Sequence, residues 1–84
     1  MKRDVRCAPQ TIPNFICMFN STFEEKQAVM NTLREVISAH PEQGNKLLIS
    51  DGHGRRLHKY DVGRFFILYT FDPGIVWVSF IGHY

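Results

Sequence analysis

From Gly44 onward the chain is a succession of short apolar runs cut by turn residues, and this texture limits the fold more than any other feature. Lys46 to Ser50 ends at Asp51-Gly52-His53-Gly54, where two glycines supply the positive φ that a hairpin needs. Arg55 to Tyr60 ends at Asp61-Val62-Gly63, and Arg64 to Phe71 ends at Asp72-Pro73-Gly74, a turn with proline in its second place. Ile75 to His83 closes the chain. Runs of this length with this punctuation predict four antiparallel strands. The last two are apolar on both faces, at Phe65 to Tyr69 and Ile75 to Ile81, and so belong in the middle of the sheet.

The first half reads differently. Ser21 with Glu24 and Thr22 with Glu25 are overlapping capping boxes. Beyond them Val29, Leu33, Val36 and Ile37 recur at helical spacing until His40-Pro41 stops the pattern, which predicts a helix over Phe23 to Ala39 with its stripe in the core. His40, in the last turn, is placed to cap free carbonyls. Arg3 to Ala8 predicts a short strand, and Thr11-Ile12-Pro13 a helix start leading through Phe15 to Phe19. The expected fold class is α+β: order β-α-α-β-β-β-β, two N-terminal helices on one face of a small, mostly antiparallel four- to five-stranded sheet.

At 84 residues the chain is expected to be a single domain, 1–84, without an enclosed substrate pocket. No apolar run approaches the ~20 residues of a membrane span, and no secretory leader is evident, so a soluble, cytoplasmic protein is expected. Asn20-Ser21-Thr22 fits a helix cap better than a glycosylation acceptor. Cys7 and Cys17 are too few for a disulfide framework and lack the spacing of a zinc site. Net charge is only +2, but the acids gather at Glu24, Glu25, Glu35 and Glu42 and the bases at Lys46, Arg55, Arg56, Lys59 and Arg64. Segregation of this kind points to one basic surface and a polyanionic ligand.

Several chemistries are excluded by spacing. His53 and His58 are five apart, so on a strand they face opposite sides and cannot chelate one ion; neither metal nor another cofactor is expected. No serine sits in a strand-turn-helix elbow, neither cysteine lies beside a histidine in a recognisable pattern, and the acids cluster on the helix. The basic residues remain. Arg56 and His58 share one strand face with Tyr60, Arg55 and Lys59 share the other, Arg64 begins the next strand, and His83-Tyr84 ends the last. Guanidinium groups grip phosphate, and imidazole moves protons near neutral pH. Together they suit RNA cleavage by attack of the 2′-hydroxyl on its own phosphate, with His58 and His83 as proton carriers, Arg56 and Arg64 as the charge clamp, Tyr84 as a stacking ring, and Lys46, Arg55 and Lys59 holding the RNA.

From Glu24 to Tyr84 the chain resembles the RelE/ParE superfamily of toxin-antitoxin modules. The cues are the helix ending in His40-Pro41, Gly44-Asn45-Lys46-Leu47, a basic strand, Val62-Gly63 before Ile67-Leu68-Tyr69, and the ending Ile81-Gly82-His83-Tyr84. The His-Tyr ending is similar to the YoeB-like branch, where such a pair contributes to ribosome-dependent mRNA cleavage. By the same resemblance Arg56 and His58 stand where RelE-type toxins carry paired catalytic lysines. Where the family's Gly-x-Tyr-Arg-x-x-Tyr strand has arginine, this chain has Phe66; a one-residue bulge near Gly63 would bring Arg64 into that place. The carboxylate that YoeB-like enzymes use as a base has no clear counterpart after Gly44. The resemblance implies an mRNA interferase acting on the ribosome and held by a small antitoxin. The alternatives are a ParE-type inhibitor of DNA gyrase without a catalytic site, or an inactive relative acting as a binding module.

Overall fold

The capping box at Thr22 forms as the sequence predicts. Thr22 Oγ1 accepts the Glu25 N–H at 3.1 Å, and Glu25 Oε1 accepts the Thr22 N–H at 3.0 Å. This computed structural model describes residues 2–16, 21–50, 52 and 54–84. Cys17, the expected end of the first helix at Phe19, and His53 lie outside the described residues. Strand β1 (Asp4–Cys7) leads to helix α1 (Thr11–Ile16), then to α2 (Phe23–Asn31), which continues as a π-helical segment, Thr32–Ile37. A 3-10 turn, Pro41–Gln43, precedes β2 (Asn45–Ser50), β3 (Arg56–Val62), β4 (Phe65–Phe71) and β5 (Ile75–His83).

The π-helical segment corrects the expectation of an α-helix to Ala39, and its cause is local. The Ser38 hydroxyl bonds back to the Arg34 carbonyl, the acceptor that an α-helix would give to the Ser38 N–H. That N–H turns instead to Leu33 O at 3.1 Å, one residue further back. Val29, Leu33 and Ile37 stay on one face and are fully buried. Among the described residues the His40 side chain makes no cap bond; it stands 3.6 Å from Glu42.

The sheet order is β1-β5-β4-β3-β2, with β1 parallel to β5 and every other pair antiparallel. The two most apolar strands are therefore internal, as expected. One face carries the helices: Phe15, Val29, Leu33 and Ile37 pack on Phe65, Ile67, Tyr69, Val76, Val78 and Ile81. Buried Tyr69 donates its hydroxyl to Pro41 O at 2.6 Å and ties the 3-10 turn to the sheet. The chain passes so close at Gly44 that a Cβ there would stand 2.1 Å from that hydroxyl oxygen.

The β4–β5 register shifts once. Leu68 pairs with Phe80 but Tyr69 pairs with Val78, so Ser79 is an extra residue in β5. The bulge reverses the alternation. Val76 and Val78 face the helices before it, and Ile81 and His83 face them after it, opposite Ile67 and Phe65. Trp77, Phe80, Gly82 and Tyr84 consequently line the other, open face.

Candidate nucleic-acid interface

The open face near the C-terminus brings together Lys59, Asp61, Phe66 and Tyr84. Strand alternation puts Lys59 and Asp61 two residues apart on this side of β3, opposite Leu68 and Phe66. The Tyr84 hydroxyl donates to Asp61 Oδ1 at 2.5 Å, and Lys59 Nζ lies 3.9 Å from the same oxygen. The Lys59 ammonium sits 4.5 Å from the centre of the Tyr84 ring and 5.3 Å from that of Phe66. The Tyr84 hydroxyl, and less strongly Asp61, raise the Lys59 pKa, so the cation persists well into alkaline conditions. Tyr84 is held by its ring contact with Phe66 at 5.3 Å and by its N–H bond to Arg64 O at 2.8 Å. A fixed cation, a carboxylate and a phenol thus share one exposed patch beside aromatic rings, which suits a phosphodiester and its flanking base.

The eight residues singled out in the sequence do not converge. Lys59 and Tyr84 meet here. Arg55 is on the same face but at the far end, with its guanidinium 5.6 Å from the Trp77 ring and 2.9 Å from Asp72. His58 lies on the helix side of β3, its ring 5.7 Å from Tyr69 and 5.0 Å from Phe71. Arg56 shares that side by alternation, and Lys46 pairs with His58 from the edge strand. His83 is on the helix side too, 6.2 Å from Phe65, because the Ser79 bulge places it there. The strand partners of His58 and His83 on β4, Tyr69 and Phe65, are four residues apart, and β3 and β5 flank β4. The two imidazoles are therefore roughly 16 Å apart on strand geometry, too far to serve one phosphate.

Arg64 is likewise elsewhere. No bulge forms near Gly63: Val62 pairs with Phe65, and Gly63-Arg64 is the turn between them, with Gly63 at φ 60°. From this turn Arg64 makes a two-pronged bond to Glu25 on α2, at 2.6 and 2.9 Å. That guanidinium, followed by the Thr22 N–H, pulls the Glu25 carboxyl down to about 2. Arg64 is thereby a fastener between turn and helix. Phe66 faces the open side, its ring centre 6.0 Å from that of Phe80 and 5.3 Å from that of Tyr84. Asp61 was read only as a turn residue. Its signal was the two-residue spacing from Lys59, but its meeting with Tyr84 needs the β5 register. Among the described residues no three His, Cys, Asp or Glu side chains group as a metal site.

No protein-family model matches the chain, and no curated protein matches it. A solved structure does: the archaeal RelE–RelB complex from Pyrococcus horikoshii OT3 contains a chain that superposes with a TM-score of 0.71, covering 99% of this chain and 96% of that one at 10% identity. The fold is that of RelE. At this identity the likeness concerns the backbone path alone, which in this chain includes the parallel β1–β5 pair. No helix is long and apolar enough to cross a membrane among the described residues.

Proposed function

We propose that this RelE-fold chain is the toxin of a toxin-antitoxin module and cleaves messenger RNA on the ribosome at the open sheet face. The observation that carries the reading is the Lys59-Asp61-Tyr84 cluster, in which an acid–base pair and a cation share one patch. Asp61 takes the proton of the RNA 2′-hydroxyl as that oxygen attacks the adjacent phosphorus. The bond from phosphorus to the 5′-oxygen breaks, and Tyr84 protonates the departing oxygen. Asp61 returns a proton to Tyr84 along their 2.5 Å hydrogen bond, which closes the cycle. Lys59 balances the charge on the phosphorane-like transition state, so the step runs without a metal ion. The products are a 2′,3′-cyclic phosphate and a 5′-hydroxyl.

An antitoxin partner is supported by the edge strand β2, which exposes Leu48 and Ile49 at 92% and 63% and has an unpaired backbone edge on its outer side. A second reading is favoured by Phe66: with an aromatic ring in place of the family's arginine, the face has one cation fewer for catalysis. This suits a toxin that acts by binding a protein such as DNA gyrase, or an inactive relative that only binds.

Translation-coupled cleavage of a defined message in the presence of a chelator tests the reading. Asp61→Asn and Lys59→Ala are each expected to slow cleavage by roughly 100-fold or more, while His83→Ala and Arg56→Ala, at residues away from the cluster, change it less than about fivefold. Intact message with growth arrest and DNA damage would point to gyrase; intact message with harmless expression, to the binding module.

A further inference from the structure

The other end of the open face holds a second feature that the cleavage reading does not use. Trp77 of β5 pairs with Thr70 of β4 on one side and with Arg6 of β1 on the other. The Arg6 and Arg55 guanidinium carbons stand 5.9 and 5.6 Å from the Trp77 ring centre. Arg6 has no carboxylate partner among the described residues, whereas Arg55 is joined to Asp72 at 2.9 Å. Beside the indole runs a cleft of about 610 Å³, walled by Thr70, Arg55 and the Cys7-Ala8-Pro9 segment. Thr70 is only 1% exposed, yet its Oγ1 and the Trp77 Nε1 have no hydrogen-bond partner among the described residues. Two unanswered polar atoms beneath an apolar cleft are unusual in a native domain and mark a place where a ligand can answer them. The volume lies within the usual range of small-ligand sites, roughly 300–1,000 Å³.

We propose that this cleft is a nucleotide-binding subsite: the base lies on the face of Trp77 and hydrogen-bonds Thr70; the indole N–H, which lies in the ring plane, donates to the sugar; and the phosphate lies between Arg6 and Arg55. An aromatic face, a pair of guanidinium groups and a buried donor set match a planar, anionic, hydrogen-bonding ligand. A carboxylate side chain of an acidic peptide would engage the guanidinium groups but leave most of the cleft and the ring face unfilled. The subsite rests on the reading of RNA as the target. Trp77 of β5 lies seven residues before Tyr84, which follows the strand, roughly 20 Å along its direction, so a single RNA strand of a few nucleotides can occupy both ends of the face. The bases nearest the scissile link and the base at Trp77 are then read separately.

Trp77 is the sole tryptophan of the chain, so its emission reports directly on the cleft. The full chain is titrated with adenosine and uridine 5′-monophosphates and with a dye-labelled six-nucleotide RNA carrying 2′-O-methyl groups to block cleavage. Trp77 emission and dye anisotropy are recorded together. Saturable quenching is expected with all three ligands, and Arg6→Ala and Thr70→Val should each weaken the hexanucleotide about fivefold or more. Thr70→Val keeps the side-chain shape and removes a hydroxyl without a partner among the described residues, so its urea midpoint should be unchanged or higher. RNA binding by anisotropy with unchanged Trp77 emission would overturn the subsite and leave the RNA reading standing. Quenching by nucleotides in a protein that cleaves no message would support the subsite while the cleavage reading fails. Quenching by a polyglutamate peptide but by no nucleotide would assign the cleft to an acidic protein segment and overturn the proposal.

Discussion

The Tyr69 hydroxyl is buried where the 3-10 turn meets the sheet, and it decides more about this region than its apolar neighbours do. Its bond to Pro41 O is 2.6 Å long, and burial pushes the phenol up to about 12. The unfolded chain releases this proton near pH 10 and the folded chain holds it two units longer. Between these values the unfolded state binds fewer protons, so stability falls as pH rises. Urea midpoints measured at pH 9 and pH 11 should drop for the wild type and drop less for Tyr69→Phe, which itself costs about 1 kcal/mol at neutral pH. Gly44 makes the same point sterically. A Cβ at 2.1 Å from an oxygen already locked by a hydrogen bond has nowhere to go, so Gly44→Ala should cost about 1–3 kcal/mol in a urea titration.

At the scale of elements, two joints set the geometry. Glu25 caps α2 and receives the Arg64 guanidinium, so one carboxylate fastens the helix start to the β3–β4 turn and, through Arg64 O, to Tyr84 N–H. Its carboxyl titrates near 2 in the fold against 4.5 for the free group. A depressed carboxyl stabilises the fold above pH 4.5, and that contribution is lost as pH falls toward 2. Thermal unfolding at pH 6 and pH 3 should show a loss for the wild type that is smaller in Glu25→Gln. The second joint is the bulge at Ser79, whose carbonyl accepts from the Thr11 hydroxyl at 3.4 Å. Deleting Ser79 removes the extra residue, so β5 alternates strictly with Ile81 still on the helix side and Tyr84 still on the open face. Message cleavage by the folded deletion variant should therefore stay well above the level of Asp61→Asn, with helix and strand content retained by circular dichroism.

For the whole molecule the net charge of +2 conceals the asymmetry that matters. Lys59, Arg6 and Arg55 lie along the open face, while Glu25 and Glu35 of the helical layer are occupied by Arg64 and Lys2. Three cations on a single strand predict a slope of about −2 for log affinity against log salt, and Lys59→Ala should reduce it by about 0.7. The dye-labelled hexanucleotide provides this measurement. Arg64→Ala should leave the slope nearly unchanged, because its guanidinium is turned to Glu25.

Much of this was legible in one dimension. Capping residues, the helical stripe, turn residues and doubly apolar strands are local or periodic signals, and they determined the element order, the central strands and the helix-covered face. The placement of His83 and Tyr84 was not legible in this way. Side chains alternate strictly along a strand, so one extra residue at Ser79 exchanges the faces of everything after it, and Val78-Ser79-Phe80-Ile81 gives no local sign of which residue is extra. Only packing of Ile81 against Ile67 under the helices selects that register, and with it the partners of Lys59, Asp61 and Tyr84.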